Sequence, residues 1–233
     1  MLHARDVTVS FGGVKPLDGV SFELPAGVCG LVGPNGAGKT TFFNVLSGFV
    51  RPSSGAVEVD DINVLGMAPH RRSRWGLRRT FQQEQVVHAL SAYDNVRVTA
   101  DEVGADDAHV RDALAFVGLG SVDRAGRELS MLERRLVELA RSVVGQPRMV
   151  LLDEPGAGLA EEETERLIRL IRQIPERFDA QVILVDHDME LVSAVCSTTA
   201  VLDFGRVIAL GPTSEVLADE HVKRAYLGTE EVF

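Results

Sequence analysis

Cysteine is scarce in this sequence, which has only Cys29 and Cys196. Two isolated cysteines give neither a disulfide framework nor metal-ligand spacing, and Cys29, set in an apolar run, reads as a small core residue. Long apolar runs are also missing: no stretch approaches the roughly 18 residues that a membrane span requires. The start, Met1-Leu2-His3-Ala4-Arg5-Asp6, lacks the apolar core of a signal peptide. A cytoplasmic protein is expected, still able to dock on a membrane protein. Positive charge is in deficit as well, with a formal net charge of −10. Phosphate backbones demand a dense Lys/Arg surface, so nucleic acid is not an expected ligand. The one basic cluster, Arg71, Arg72, Arg74, Arg78 and Arg79, reads as a solvated loop or strand edge. No internal repeat or low-complexity segment is present.

What is there suffices for a large core: 233 residues, 45% of them hydrophobic. That size fits one large α/β domain, or a main domain carrying a smaller subdomain. Val7 and Val9, then Val20, Phe22 and Leu24, are apolar at period two, as in strands. Val28–Val32 is a continuous apolar run, as in a strand buried on both faces. Thr41–Phe49 carries Phe42, Phe43, Leu46 and Phe49 at helical spacing, ended by Gly48 and Pro52. Ala56–Asp60 is a further strand candidate. From about Ser91 to Arg127 the chain turns acidic and alanine-rich, as a helical insertion that includes Asp107–Val117. Leu136, Leu139, Ala140 and Val143 mark an amphipathic helix. Met149–Leu152 and Val182–Val185 predict buried strands, Ala160–Ile174 a helix, and Val201–Leu210 a hairpin near Gly205. Strands alternating with helices imply a mostly parallel, helix-covered sheet.

The chemistry concentrates in Gly33-Pro34-Asn35-Gly36-Ala37-Gly38-Lys39-Thr40, which matches G-x-x-x-x-G-K-[ST]. Glycines let such a loop curl until successive backbone N–H groups face the α- and β-phosphates of a nucleotide. Lys39 reaches the β/γ oxygens, Thr40 offers its hydroxyl to Mg²⁺, and the helix that begins there adds its positive end. Asp153 and Glu154 follow the strand Met149–Leu152. Alone, such a pair reads as a solvated strand end. Beside a P-loop, Asp153 suits the Mg²⁺ shell and Glu154 a general base that polarises the attacking water. His187 follows the second buried strand, on the edge where open α/β sheets bind ligands.

These elements, in this order, resemble the ATP-binding-cassette (ABC) transporter ATPases over nearly the whole chain. The resemblance implies an α/β P-loop NTPase fold in one domain, residues 1–233. Its parts would be a mostly parallel sheet, an antiparallel β subdomain and a helical subdomain inserted at roughly residues 84–130. Gly33–Thr41, with Thr41 as its last residue, resembles the Walker A motif, and Met149–Glu154 resembles Walker B. Thr80-Phe81-Gln82 resembles the Q-loop, whose Gln82 would contact Mg²⁺ and the water. His187 matches the switch histidine, and Pro155–Ala160 lies where the D-loop belongs. Phe11 matches the aromatic residue that stacks on adenine; a core strand aromatic is its alternative. ATP and Mg²⁺ are the implied cofactors. The implied partners are integral-membrane permease subunits and a second ABC ATPase subunit, on the cytoplasmic face of the cell membrane.

Within that family the sequence is most similar to the branched-chain amino-acid importers. Phe11-Gly12-Gly13, Arg79-Thr80-Phe81-Gln82, Glu154-Pro155-Gly156-Ala157-Gly158-Leu159 and Arg224-Ala225-Tyr226-Leu227-Gly228 carry that resemblance, and lipid-exporter ATPases share several of these features. A soluble ABC ATPase without a permease is the runner-up. Such proteins usually carry two cassettes or a long coiled coil, and neither is present. A GTPase would need an N-K-x-D motif that is missing, and a kinase would leave Gln82 and His187 idle.

One departure matters. The signature segment, L-S-G-G-Q in the family, falls at Leu129-Ser130-Met131-Leu132-Glu133 without either glycine. In the family it reaches across a dimer to the opposite γ-phosphate, where glycine lets backbone approach closely. Ser130 would still contribute in trans, weakly, and Ser130 with Glu133 reads as a helix capping box in any case. An own site that looks complete and an offered segment that looks weak favour a heterodimer over a homodimer. Ala160, where the D-loop usually has a polar residue, points the same way. Glu84–Asn95, with Val86, Val87 and Leu90, is the candidate permease-docking surface; an apolar loop packed on its own subdomain is the equal alternative.

Overall fold

Strand alternation at the start produces a hairpin. In the computed structural model, which describes residues 1–120 and 124–227, β1 (Leu2–Phe11) and β2 (Val14–Leu24) pair antiparallel across Gly12-Gly13. They bury the Val7, Val9, Val20, Phe22 and Leu24 face. The apolar run becomes β3 (Val28–Val32), and the glycine loop leads into α1 (Lys39–Ser47). Then come β4 (Ser54–Val59), β5 (Ile62–Asn63), α2 (Pro69–Trp75) and β6 (Leu77–Arg79). The helical stretch holds α3 (Ala92–Val103), α4 (Asp107–Phe116) and α5 (Met131–Val143). The chain continues through β7 (Met149–Asp153), α6 (Glu161–Phe178), β8 (Gln181–Val185) and α7 (Met189–Val195). It closes with β9 (Thr198–Asp203), β10 (Arg206–Pro212), α8 (Thr213–Ala218) and α9 (Glu220–Leu227). Gly228, and residues 121–123 of the expected helical insertion, lie outside the described residues.

Two sheets result. The antiparallel one runs β2-β1-β4-β5, and the larger runs β10-β9-β3-β8-β7-β6. In the larger sheet β9, β3, β8, β7 and β6 are mutually parallel, with β10 antiparallel on one edge. The α1 helix fills the space between the sheets: Phe42 and Phe43 are fully buried, and the Phe42 ring lies 5.0 Å from that of Phe22. Helices α3 to α7 bury their apolar faces in a second core that reaches β3, β7 and β8. Cys29 and Cys196 are buried free thiols, and burial raises both above the ordinary thiol pKa, Cys29 to about 11. Among the described residues, no helix is long and apolar enough to cross a membrane.

The structure departs from the sequence reading in three places. The first helix starts at Lys39 and ends at Ser47, because Gly48 takes a left-handed C-cap that returns its N–H to Asn44 and Val45. Phe49 is therefore off the helix and 61% exposed. The helix expected to stop at Ile174 runs through Pro175 to Phe178, whose ring packs edge-on to Phe116 at 5.0 Å. The basic cluster is only partly solvated: Arg71 and Arg74 are exposed, but Arg72 and Arg78 are buried and the Arg79 side chain is 6% exposed. Arg72 donates to the Val45 and Leu46 carbonyls at 2.5 and 2.6 Å, which gives the last turn of α1 side-chain donors where intrahelical ones run out.

The β9–β10 hairpin turns through Phe204 (φ +41°) and Gly205 (φ +75°). Positive φ at both central positions is the type I′ pattern, which favours Asn-Gly and penalises a bulky first residue. Phe204 is 86% exposed, so little packing offsets that penalty. Phe204→Asn is expected to stabilise the fold by about 0.5–1 kcal/mol and raise Tm by roughly 1–4 °C in a thermal melt. A lower Tm would contradict this.

Candidate functional site

Parallel strands place their C-terminal ends together, and four of them deliver the expected residues to one edge of the large sheet. From β3 comes the glycine loop. Gly33 has φ +148°, and a Cβ there would lie 2.1 Å from the Leu202 carbonyl of β9; at Gly38 (φ +109°) one would lie 2.4 Å from the Pro16 carbonyl. Only glycine lets the loop seat this close to its neighbours. Gly38 caps α1 without a side-chain hydrogen bond, which leaves the first-turn amides of that helix without a side-chain acceptor. The Lys39 ammonium lies back over its own loop and donates to the Gly33 and Pro34 carbonyls, the latter at 2.9 Å. Burial lowers its pKa, and the Glu154 and Asp153 charges oppose that shift. Pro34 and Ala37 are buried, Asn35, Gly36 and Thr40 are exposed, and Thr41 is half-buried.

Asp153 ends β7, buried. Burial raises its carboxyl pKa, while the Arg79 guanidinium opposes this with a 2.9 Å ion pair to Oδ2. The Asp153 backbone N–H donates to Thr80 Oγ1 at 3.1 Å, tying β7 to the end of β6. Glu154, the next residue, sits at φ +49°, and its N–H donates to the Val185 carbonyl at 2.8 Å. A left-handed glutamate costs on the order of 1 kcal/mol or more, and such strain concentrates at functional sites. The result is that the Glu154 carboxylate meets Gln82, whose Nε2 donates to Oε2 at 2.9 Å. The structure thus brings Gly33–Thr41, Asp153, Glu154 and Gln82 into one cluster.

His187 follows β8 at the same edge, with its imidazole 71% exposed and Nδ1 3.7 Å from the buried Asp186 carboxylate. Phe11 ends β1 and is 58% exposed, which removes the core-aromatic alternative. Ser130 caps α5 in a complete capping box: its Oγ accepts from the Glu133 N–H at 3.2 Å, and Glu133 Oε2 accepts from the Ser130 N–H at 2.8 Å. Among the described residues no hydrogen bond links Ser130 to Gly33–Thr41 of its own chain. Met131 is exposed, and its thioether covers Gly158, where a Cβ would lie 2.7 Å from Met131 Cε. In the segment Glu84–Asn95 both expected orientations occur. Val86 is buried, Val87 is exposed, and buried Asn95 holds the turn by accepting from Val87 N–H at 2.7 Å.

The sequence reading missed Arg79 as a site neighbour. Its guanidinium also donates to Asn44 Oδ1 at 2.7 Å and lies over the Phe43 and Phe81 rings, with Cζ 5.4 and 4.8 Å from the centroids. The strand that carries it has three residues, too few for any periodicity to signal burial.

The donor set fits a nucleotide with a hard divalent cation. The loop and the start of α1 supply N–H groups and an ammonium, suited to phosphate oxygens. A hydroxyl, an amide and two carboxylates gather beside them, the oxygen donors Mg²⁺ takes when substrate phosphates complete its shell.

That arrangement defines a P-loop nucleotide-binding protein, and comparison with known proteins narrows the class. A family profile described as ABC transporter matches residues 17–157, and one described as branched-chain amino acid ATP-binding cassette transporter matches residues 206–232. The chain is 31% identical over 249 aligned residues, covering 98% of both proteins, to the high-affinity branched-chain amino acid transport ATP-binding protein LivG of Escherichia coli K12. It is 33% identical over 236 residues, again 98% of both, to the lipopolysaccharide export system ATP-binding protein LptB of the same organism. The crystal structure of an ABC transporter's ATP-binding cassette in its ADP conformation superposes with a TM-score of 0.88 at 26% identity, over 98% of each chain. The chain belongs to the ABC transporter ATPase family and is an ATPase with that family's mixed α/β fold.

Proposed function

We infer that this protein is the ATP-hydrolysing subunit of an amino-acid uptake transporter. It would act as one ABC-type unit whose helical part spans roughly residues 84–130. The observation that carries the reading is the meeting of the Lys39 loop, Asp153 and the Glu154–Gln82 pair at one sheet edge. The resemblance to LivG and the match at residues 206–232 support amino acids as cargo.

In this reading Gly33–Thr41 binds the triphosphate by backbone N–H groups, and Lys39 turns from its carbonyls to the β/γ oxygens. Phe11 stacks on adenine. Thr40, Gln82 and Asp153 hold Mg²⁺, which neutralises charge on the β- and γ-phosphates when bound. Glu154, oriented by Gln82, takes a proton from the attacking water. His187 contacts the γ-phosphate from the end of β8. Ser130 reaches a second subunit's nucleotide, weakly, because Met131 and Leu132 stand where glycines would let backbone close in. The partner is therefore a related ATPase with an intact signature, in a heterodimer docked peripherally on permease subunits at the cytoplasmic face of the membrane.

The resemblance to LptB favours a second reading, a subunit of a lipid exporter. Co-purification of the tagged chain with its permease, then reconstitution in proteoliposomes, separates the two. The leading reading expects ATP-dependent accumulation of branched-chain amino acids. Extraction of lipid without such accumulation would reverse the order, and the absence of any permease would leave neither standing.

A further inference from the structure

Arg79 is a buried cation paired directly with Asp153. Its side chain is 6% exposed. One terminal nitrogen, Nη2, reaches Asp153 Oδ2 at 2.9 Å, and the other, Nη1, reaches Asn44 Oδ1 at 2.7 Å and Ser47 Oγ at 3.4 Å. Its Cζ also lies 5.4 Å from the ring centroid of Phe43, fully buried in α1, and 4.8 Å from that of Phe81, whose ring lies 6.1 Å from that of Phe49. Phe49, Arg79 and Phe81 line a cleft of about 380 Å³ that Glu138 and Arg141 of α5 also line. One guanidinium thus joins the β6 strand, the helix that follows the glycine loop, and the carboxylate assigned to the cation.

A buried carboxylate must be neutralised, by a proton, a cation or a full set of donors. Here the neutralising charge is supplied by the chain. We propose that Arg79 is a positioning residue that serves as the internal counter-ion of Asp153, so that its charge sets how much divalent cation the nucleotide site requires. The proposal rests on the reading of Asp153 as a Mg²⁺ residue. A divalent cation arriving at Asp153 meets a carboxylate already half satisfied and a fixed positive charge a few ångströms away. Like-charge repulsion at that range, partly shielded from water, raises the concentration needed to fill the site. The ring contacts and Asn44 prevent the guanidinium from swinging clear, so the opposition is built in.

The test is binding, without turnover, on the full-length protein. The apparent affinity for a fluorescent ADP analogue is titrated against MgCl₂, with an EDTA baseline, for wild type, Arg79→Gln and Arg79→Lys. Glutamine keeps a donor for Asp153 but loses the charge, and the half-saturating Mg²⁺ concentration is expected to fall roughly tenfold or more. Lysine keeps the charge without the fork and is expected to stay within about threefold of wild type. Thermal melts accompany each titration, because a purely structural role would lower Tm in both variants and leave the Mg²⁺ requirement alone. An unchanged or higher requirement in folded Arg79→Gln overturns the proposal. If that variant does not fold, Arg79→Lys decides, and a tenfold shift there overturns it. Wild-type protein that binds no nucleotide would instead overturn the functional reading on which this one rests.

Discussion

Replacing Glu154 with glutamine should remove ATP turnover by about 10²–10⁴-fold while nucleotide still binds. The substitution is isosteric, and the Gln82 Nε2 donor that now meets Glu154 Oε2 at 2.9 Å finds an amide oxygen in the same place. The backbone at φ +49°, anchored by the Glu154 N–H to the Val185 carbonyl, is set by the strand end and does not depend on the carboxylate. On the proposed reading, geometry is kept and only the base is lost. Phosphate-release kinetics alongside fluorescent-nucleotide binding make the comparison. Turnover within tenfold of wild type would move the general base elsewhere, and lost binding would mean the residue holds the site together.

Lys39→Ala should have the converse signature, with nucleotide affinity falling and the fold unharmed. Removing one partner of a partly buried charge contact costs about 2–5 kcal/mol, which is roughly thirty- to several-thousand-fold in Kd. Among the described residues the ammonium hydrogen-bonds to the Gly33 and Pro34 carbonyls alone, and burial lowers its pKa. A base whose folded pKa is depressed makes folding less favourable while it stays protonated, so its removal relieves a small cost. Tm is therefore expected to hold or rise slightly as triphosphate binding is lost. A clear drop in Tm with binding retained would reassign Lys39 to the structure of the loop.

How much of this was legible in sequence depends on the distance over which each signal acts. The glycine loop, the buried strands and the Ser130–Glu133 capping box were readable because their determinants lie within a few residues of each other. The left-handed cap at Gly48 moved the helix end by only two residues, yet that put Phe49 outside and made it a wall of the cleft. The arginines failed for the opposite reason. Arg72 is buried because carbonyls 26 and 27 residues away need donors, and Arg79 because Asp153 lies 74 residues ahead. No local period encodes such partners, so charge alone suggested a solvated edge. Pro175 misled in a third way: it breaks an isolated helix, but Phe178 packed on Phe116 keeps the last turn in place.

The signature segment shows the two kinds of information side by side. Its capping box forms as the spacing requires, so α5 starts correctly whatever Met131 and Leu132 do for catalysis. Met131 meanwhile rests on Gly158 of the loop after Glu154, a contact visible only in three dimensions. On the proposed reading, bulk at the place where a backbone should approach a phosphate would leave this chain better equipped to hold ATP than to complete a partner's site.

Steady-state ATP turnover of the purified chain, measured across a range of protein concentrations, alone and then mixed with the ATPase subunit that co-purifies with its permease, tests that account most directly. Slow turnover alone at every concentration, and a marked rise with the partner that is lost in Glu154→Gln, is the predicted result. Brisk turnover by the chain alone would contradict it, because Leu129–Glu133 would then be a competent signature and two copies of this chain would suffice.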